Sequence, residues 1–66
     1  MLNGFKKARI IAGLTQSEVA RQLGVSAVSV HKWECGKGLP RVKRIGAVAD
    51  VLHTTVENLL DEERAV

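Results

Sequence analysis

At 66 residues, 45% of them hydrophobic and 26% charged, the chain holds enough apolar material for one small core. Chains of this size bury only about 60% of their unfolded surface, which argues against a large enzymatic cleft. No apolar run approaches the ~20 residues of a membrane span, the N-terminus lacks a signal-peptide pattern, and one cysteine makes no internal disulfide, so a single cytoplasmic domain over 1–66 is expected. The net charge of +3 hides an asymmetry. Residues 1–44 hold nine Lys or Arg against Glu18 and Glu34, whereas residues 45–66 hold five acids against Arg64. The first part is suited to a polyanion and the second is not.

Asn3 is the expected N-cap of a first helix running to about Ala12, with Phe5, Ala8, Ile11 and Ala12 as its apolar face and Gly13 as its stop. A second helix is announced by Thr15 with Glu18 three residues on, the spacing of a capping box. Val19, Ala20 and Leu23 then fall on one face, and Gln16, Ser17, Arg21 and Gln22 on the other. Gly24 ends this helix because a residue just past a helix C-terminus often needs a positive φ. Val25 points inward and Ser26 caps a third helix, in which Val30 and Trp33 face the second. That leaves Ala27, Val28, His31, Lys32 and Cys35 facing out. Two short helices joined by a tight turn over about 15–36, with small Ala20 at their crossing, are the pattern of a helix-turn-helix.

Beyond the third helix, Gly36 to Pro40 is a loop, and Pro40 is placed to open the next helix. A fourth helix is expected over about Val42–Leu52, with Val42, Ile45, Ala49 and Leu52 inward and Gly46 as a weak interior position. Thr54 or Thr55 caps a short fifth helix carrying Val56, Leu59 and Leu60, and the tail 61–66 is expected to fray. Val48, Val51, Val56 and Leu60 then form an apolar surplus at the C-terminal end, available either to the core or to a second copy.

From Phe5 to Leu60 the sequence resembles the Cro and phage-repressor type of regulator, the XRE family. The likeness rests on Arg9, G-L-T-Q at Gly13 to Gln16, A-x-x-L-G-V-S at Ala20 to Ser26, W-E-x-G-K at Trp33 to Lys37, and L-P at Leu39 and Pro40. The resemblance implies an all-α, compact five-helix λ-repressor-like DNA-binding domain with its helix-turn-helix at helices 2 and 3. It implies a structural ion pair between Arg9 and Glu34. It also places Ala27, Val28 and Lys32 at base-reading positions, to which the outward position of His31 adds a fourth. Phosphate-anchoring positions fall on Gln16, Ser26, Cys35 and Lys37, and the loop beside the DNA backbone adds Arg41, with Lys43 and Arg44 as weaker candidates. Two copies of such domains often meet through the C-terminal region, so Val51, Val56, Leu59 and Leu60 are the dimer-interface candidates.

The side chains at these positions limit what can be read. Lys32 can donate to guanine N7 and O6, and His31 to a base acceptor or a phosphate, whereas Ala27 and Val28 offer only packing against thymine methyl groups. This favours paired half-sites about one helical turn apart with indirect readout between them. Trp33, beside Val30, is assigned to the core rather than to base stacking. Catalysis is not expected: there is no Ser/His/Asp set, no phosphate-cradling glycine loop and no pair of carboxylates placed in a cleft. His31 and Cys35 at i, i+4 supply only two of the four ligands of a closed zinc site, so neither a metal nor another cofactor is expected. The function expected is a sequence-specific transcriptional regulator, a repressor binding double-stranded DNA at an inverted repeat as a homodimer, without a membrane partner. The competing reading is an antitoxin or anti-repressor type of protein-interaction module, with DNA binding secondary.

Overall fold

The computed structural model describes residues 3–60, and the expected fraying of 61–66 lies outside them. Five helices follow one another as α1 (Gly4–Ala12), α2 (Gln16–Leu23), α3 (Ala27–Glu34), α4 (Val42–Val51) and α5 (Val56–Leu60). The start of each of the first three is set by a side chain. Asn3 Oδ1 accepts from the Lys6 N–H, Thr15 and Glu18 close a reciprocal capping box, and Ser26 Oγ accepts from the Ser29 N–H. Left-handed glycines end them, Gly13 and Gly24 as caps and Gly36 one residue beyond Cys35.

α2 and α3 pack on each other as the helix-turn-helix, α1 packs on α3 and α5, and α4 on α2 and α5. The core between them consists of Phe5, Ala8, Val19, Ala20, Val30, Trp33, Val48, Ala49, Leu52 and Leu59. Phe5 and Trp33 meet inside it as a tilted aromatic pair with centroids 6.1 Å apart. At the junction of α1 with α5, Gly4 is buried against the carbonyl oxygens of Asn58 and Leu59, where any Cβ would overlap the backbone.

Several inward assignments change. Ile11 is 77% exposed, because it sits about 90° off the midline of the stripe that Phe5 and Ala8 define. Val42 is 91% exposed although it lies on the stripe of α4; burial deepens along the helix from Val42 through half-buried Ile45 to Val48 at 0%, so the first turn overhangs its neighbours. Val48 is therefore core, not surplus. Leu59, an expected interface residue, is 1% exposed and belongs to the core as well. Val51 and Val56 are half-buried and pack against it, and Leu60 is exposed. Gly46 has nothing near its missing side chain, so close packing is not the reason for it. The fifth helix is capped by Thr55, whose Oγ1 accepts from the Asn58 N–H.

Candidate nucleic-acid interface

The inner face of α3 is held in three ways. Val30 and Trp33 bury against α1 and α2, and Asn3 Nδ2 donates to the Trp33 carbonyl at 2.6 Å from the start of α1. The third hold is polar. Glu34 lies inside the molecule with its side chain 3% exposed, and Arg9 meets it edge-on, Nε to Oε2 at 2.6 Å and Nη2 to Oε1 at 3.1 Å. The remaining Arg9 nitrogen, Nη1, donates to the Leu14 carbonyl at 2.9 Å. Gln16 Nε2 adds a donor to Glu34 Oε1 at 3.1 Å. A buried carboxylate is tolerable only when so paired, and the pairing ties α1, the loop at Leu14, α2 and α3 to one another. The Arg9 guanidinium is thereby occupied within the fold rather than directed at a phosphate.

With the inner face fixed, the outer face is presented as a unit. Val28, His31 and Lys32 are exposed, and Ala27 is half-buried against the core, leaving only part of its methyl to a ligand. At the rim, Cys35, Lys37, Arg41 and Lys43 are exposed. Ser26 is exposed as well, but its hydroxyl is engaged with the Ser29 N–H and Oγ at 3.2 Å. Gln16 is half-buried with its amide turned to Glu34 and His31, and His31 Nε2 lies 3.4 Å from Cys35 Sγ. Positive charge therefore surrounds an α3 face that includes an apolar position, the mixture that contact with phosphates and base edges requires.

Arg44, a weaker phosphate candidate, also has a partner within the fold. Its Nη1 donates to the Leu23 carbonyl at 2.9 Å, capping the C-terminal end of α2 from α4 and binding the helix-turn-helix to the rest of the fold. Sequence reasoning also missed the reach of Asn3 to α3 and of Gln16 to Glu34; both are side-chain bonds across 18 or more positions, to which helical periodicity is blind. Among the described residues, no group of three or more His, Cys, Asp or Glu side chains could hold a metal ion, and no helix is long and apolar enough to cross a membrane.

Comparison with known proteins agrees with this geometry. A helix-turn-helix family model matches residues 5–59. The HTH-type transcriptional activator BcrR of Enterococcus faecalis is 36% identical over 53 residues, which is 80% of this chain and 26% of that protein. The cryptic phage CTXphi transcriptional repressor RstR of Vibrio cholerae is 36% identical over 45 residues, 68% of this chain and 40% of RstR. The chain thus spans well under half the length of either relative. No solved structure matches it significantly.

Proposed function

Because this chain belongs to the XRE-type helix-turn-helix family, we propose that it is a sequence-specific transcriptional regulator that inserts α3 into the major groove of double-stranded DNA. The observation that supports this most directly is the division of α3 between two tasks. Trp33, Val30 and Glu34 hold it to the scaffold, while Val28, His31 and Lys32 are exposed on the opposite side with Lys37 and Arg41 at the rim. An α-helix fits the major groove in this orientation, with residues of its first turns at the base edges. Lys32 donates to guanine, Val28 and Ala27 pack on thymine methyl groups, and Gln16, Ser26, Cys35, Lys37 and Arg41 lie along the backbone.

Two copies bind an inverted repeat, since one short helix with two apolar reading positions selects too few base pairs alone. Val51, Val56 and Leu60 are the apolar residues left for the dimer contact once Leu59 is assigned to the core. The action is repression, which needs only that the bound protein occlude a promoter.

The test is selection of bound sites from random double-stranded DNA at physiological salt, followed by titration of the winner and of scrambled DNA at several salt concentrations. A two-fold symmetric site, preferred at least ~1,000-fold and with a steep negative salt slope, is the expected result. Lys32→Ala should then reduce the preference by about 1–3 kcal/mol at the base pair it reads. If no motif emerges and binding is weak and governed by salt alone, the protein-interaction reading replaces this one.

A further inference from the structure

The polar chain that starts at the buried Arg9–Glu34 pair reaches the outer face of α3 at His31, and its last link depends on a proton. The Glu34 carboxylate only accepts, so the Gln16 amide must turn Nε2 toward it, and the 3.1 Å bond fixes which way that amide faces. The same Nε2 lies 3.5 Å from His31 Nδ1, and Cys35 Sγ lies beside the ring, 3.4 Å from His31 Nε2 and 4.0 Å from Nδ1. A neutral imidazole whose Nδ1 carries no proton satisfies the amide, because Nδ1 then accepts from Gln16. The imidazolium does not, because its Nδ1–H then confronts an N–H that Glu34 prevents from flipping away.

Other charges do not substitute for these neighbours. Lys32 adjoins His31 on α3, Glu34 is linked to the ring only through Gln16, and Arg9 of α1 is engaged by Glu34 and the Leu14 carbonyl. Among the described residues, Gln16 and Cys35 are the side chains within hydrogen-bonding distance of the ring.

We propose that Gln16 and His31 form a proton-linked clamp for one phosphate of the DNA backbone, turned in on itself when His31 is neutral and opened to the phosphate when it is charged. This rests on the DNA-binding reading. Uptake of one proton from solvent ends the acceptor role of Nδ1, frees one Gln16 N–H, and adds an imidazolium to a face that already carries Lys32 and Lys37. Both released donors and the new charge favour the same ligand. Because the contact is to the backbone, it operates on any duplex sequence.

The experiment is titration of the full chain with a double-stranded oligonucleotide of mixed sequence, at fixed ionic strength, between about pH 5.5 and pH 8, the range in which imidazoles change charge. Affinity at the acid end should exceed that at the alkaline end by about tenfold, as proton uptake coupled to binding requires. The salt slope should steepen by about 0.9 for each clamp. His31→Gln should abolish both changes, His31→Lys should bind at pH 8 as the wild type does at pH 5.5, and His53→Gln should behave as wild type. Binding that is strong but independent of pH overturns the clamp while leaving the DNA reading intact, as does an acid gain that survives in His31→Gln. An absence of binding at every pH and at low salt removes the DNA reading and the clamp with it.

Discussion

The segment from Asn3 to Gly36 and the segment from Arg41 to Leu60 are both helical, yet they are held by different forces. In the first, every helix opens on a side-chain cap and is followed by a left-handed glycine, and a buried carboxylate collects donors from α1 and α2. In the second, α4 opens at Arg41 without a side-chain cap and is followed by His53, which takes φ 53° in the role that glycine fills elsewhere. No charged residue is buried there; Val48, Ala49, Leu52 and Leu59 are the buried apolar side chains of this segment. The contrast separates orientation from support. Hydrogen bonds with directional demands set the angle of α3 against its neighbours, whereas the buttress behind it rests mainly on apolar burial, which has no direction, with the Arg44 bond to the Leu23 carbonyl and the Thr55 cap as its directional contacts.

The contrast breaks most completely at Glu34. Glu34→Ala leaves the Arg9 guanidinium, 15% exposed, without its counter-ion and removes the acceptor of Gln16. Loss of one partner of a buried pair costs about 3 kcal/mol or more, comparable with the ~3–5 kcal/mol a core of this size supplies. Denaturant unfolding should show the variant largely unfolded at 25 °C. The double variant Arg9→Met, Glu34→Leu should recover much of that stability, since an apolar pair of similar volume often replaces a buried ion pair without loss. Recovered stability without recovered DNA affinity would separate the orienting role of the pair from its contribution to folding.

How much of this was visible in the amino-acid sequence follows the same division. Asn3, Thr15 with Glu18, Ser26, Gly13 and Gly24 act on backbone groups within a few positions, so their roles could be read from spacing alone. The family resemblance supplied the Arg9–Glu34 pair, which spacing could not. In α4 the stripe of Val42, Ile45, Ala49 and Leu52 had the right period, but period does not tell where a helix runs past its neighbours, and Val42 stands in solvent for that reason. Arg44 and Gln16 looked like surface polar residues because their partners, the Leu23 carbonyl and Glu34, are brought near only by the fold. Gly4 gave no signal at all, its constraint being the backbone of a helix more than 50 residues away.

A smaller effect of opposite sign is expected at His53. Thr54 N–H donates to the Ala49 carbonyl at 2.9 Å and His53 N–H to that of Asp50 at 3.2 Å, a closing turn that requires the left-handed backbone between them. A side chain in that conformation costs about 1 kcal/mol relative to glycine. The exposed imidazole makes no hydrogen bond among the described residues to offset it. His53→Gly should therefore raise the unfolding free energy by about 0.5–1 kcal/mol, part of the gain being cancelled by the greater freedom of glycine in the unfolded chain. DNA affinity should be unchanged, and a fall in it would mean that the second segment does more than buttress the first.

Acid should produce the mildest change, and only in the first segment. The Thr15 backbone N–H and then its hydroxyl, both bonded to Glu18 in the capping box, lower the Glu18 pKa below the ordinary glutamate value, helped by Arg21 one turn on. A carboxylate lowered in the folded state contributes stability that is present above its unfolded pKa of about 4.3 and is lost as pH falls through the folded value. Glu18→Gln keeps a side chain able to accept from the Thr15 N–H but cannot titrate. Thermal unfolding of wild type and variant from pH 7 downward should show the wild type ahead at neutral pH, with the gap closing below about pH 4. A gap that stayed constant with pH would mean that the glutamate contributes through its geometry alone. The start of α2 would then be held, like the buttress behind it, without the help of charge.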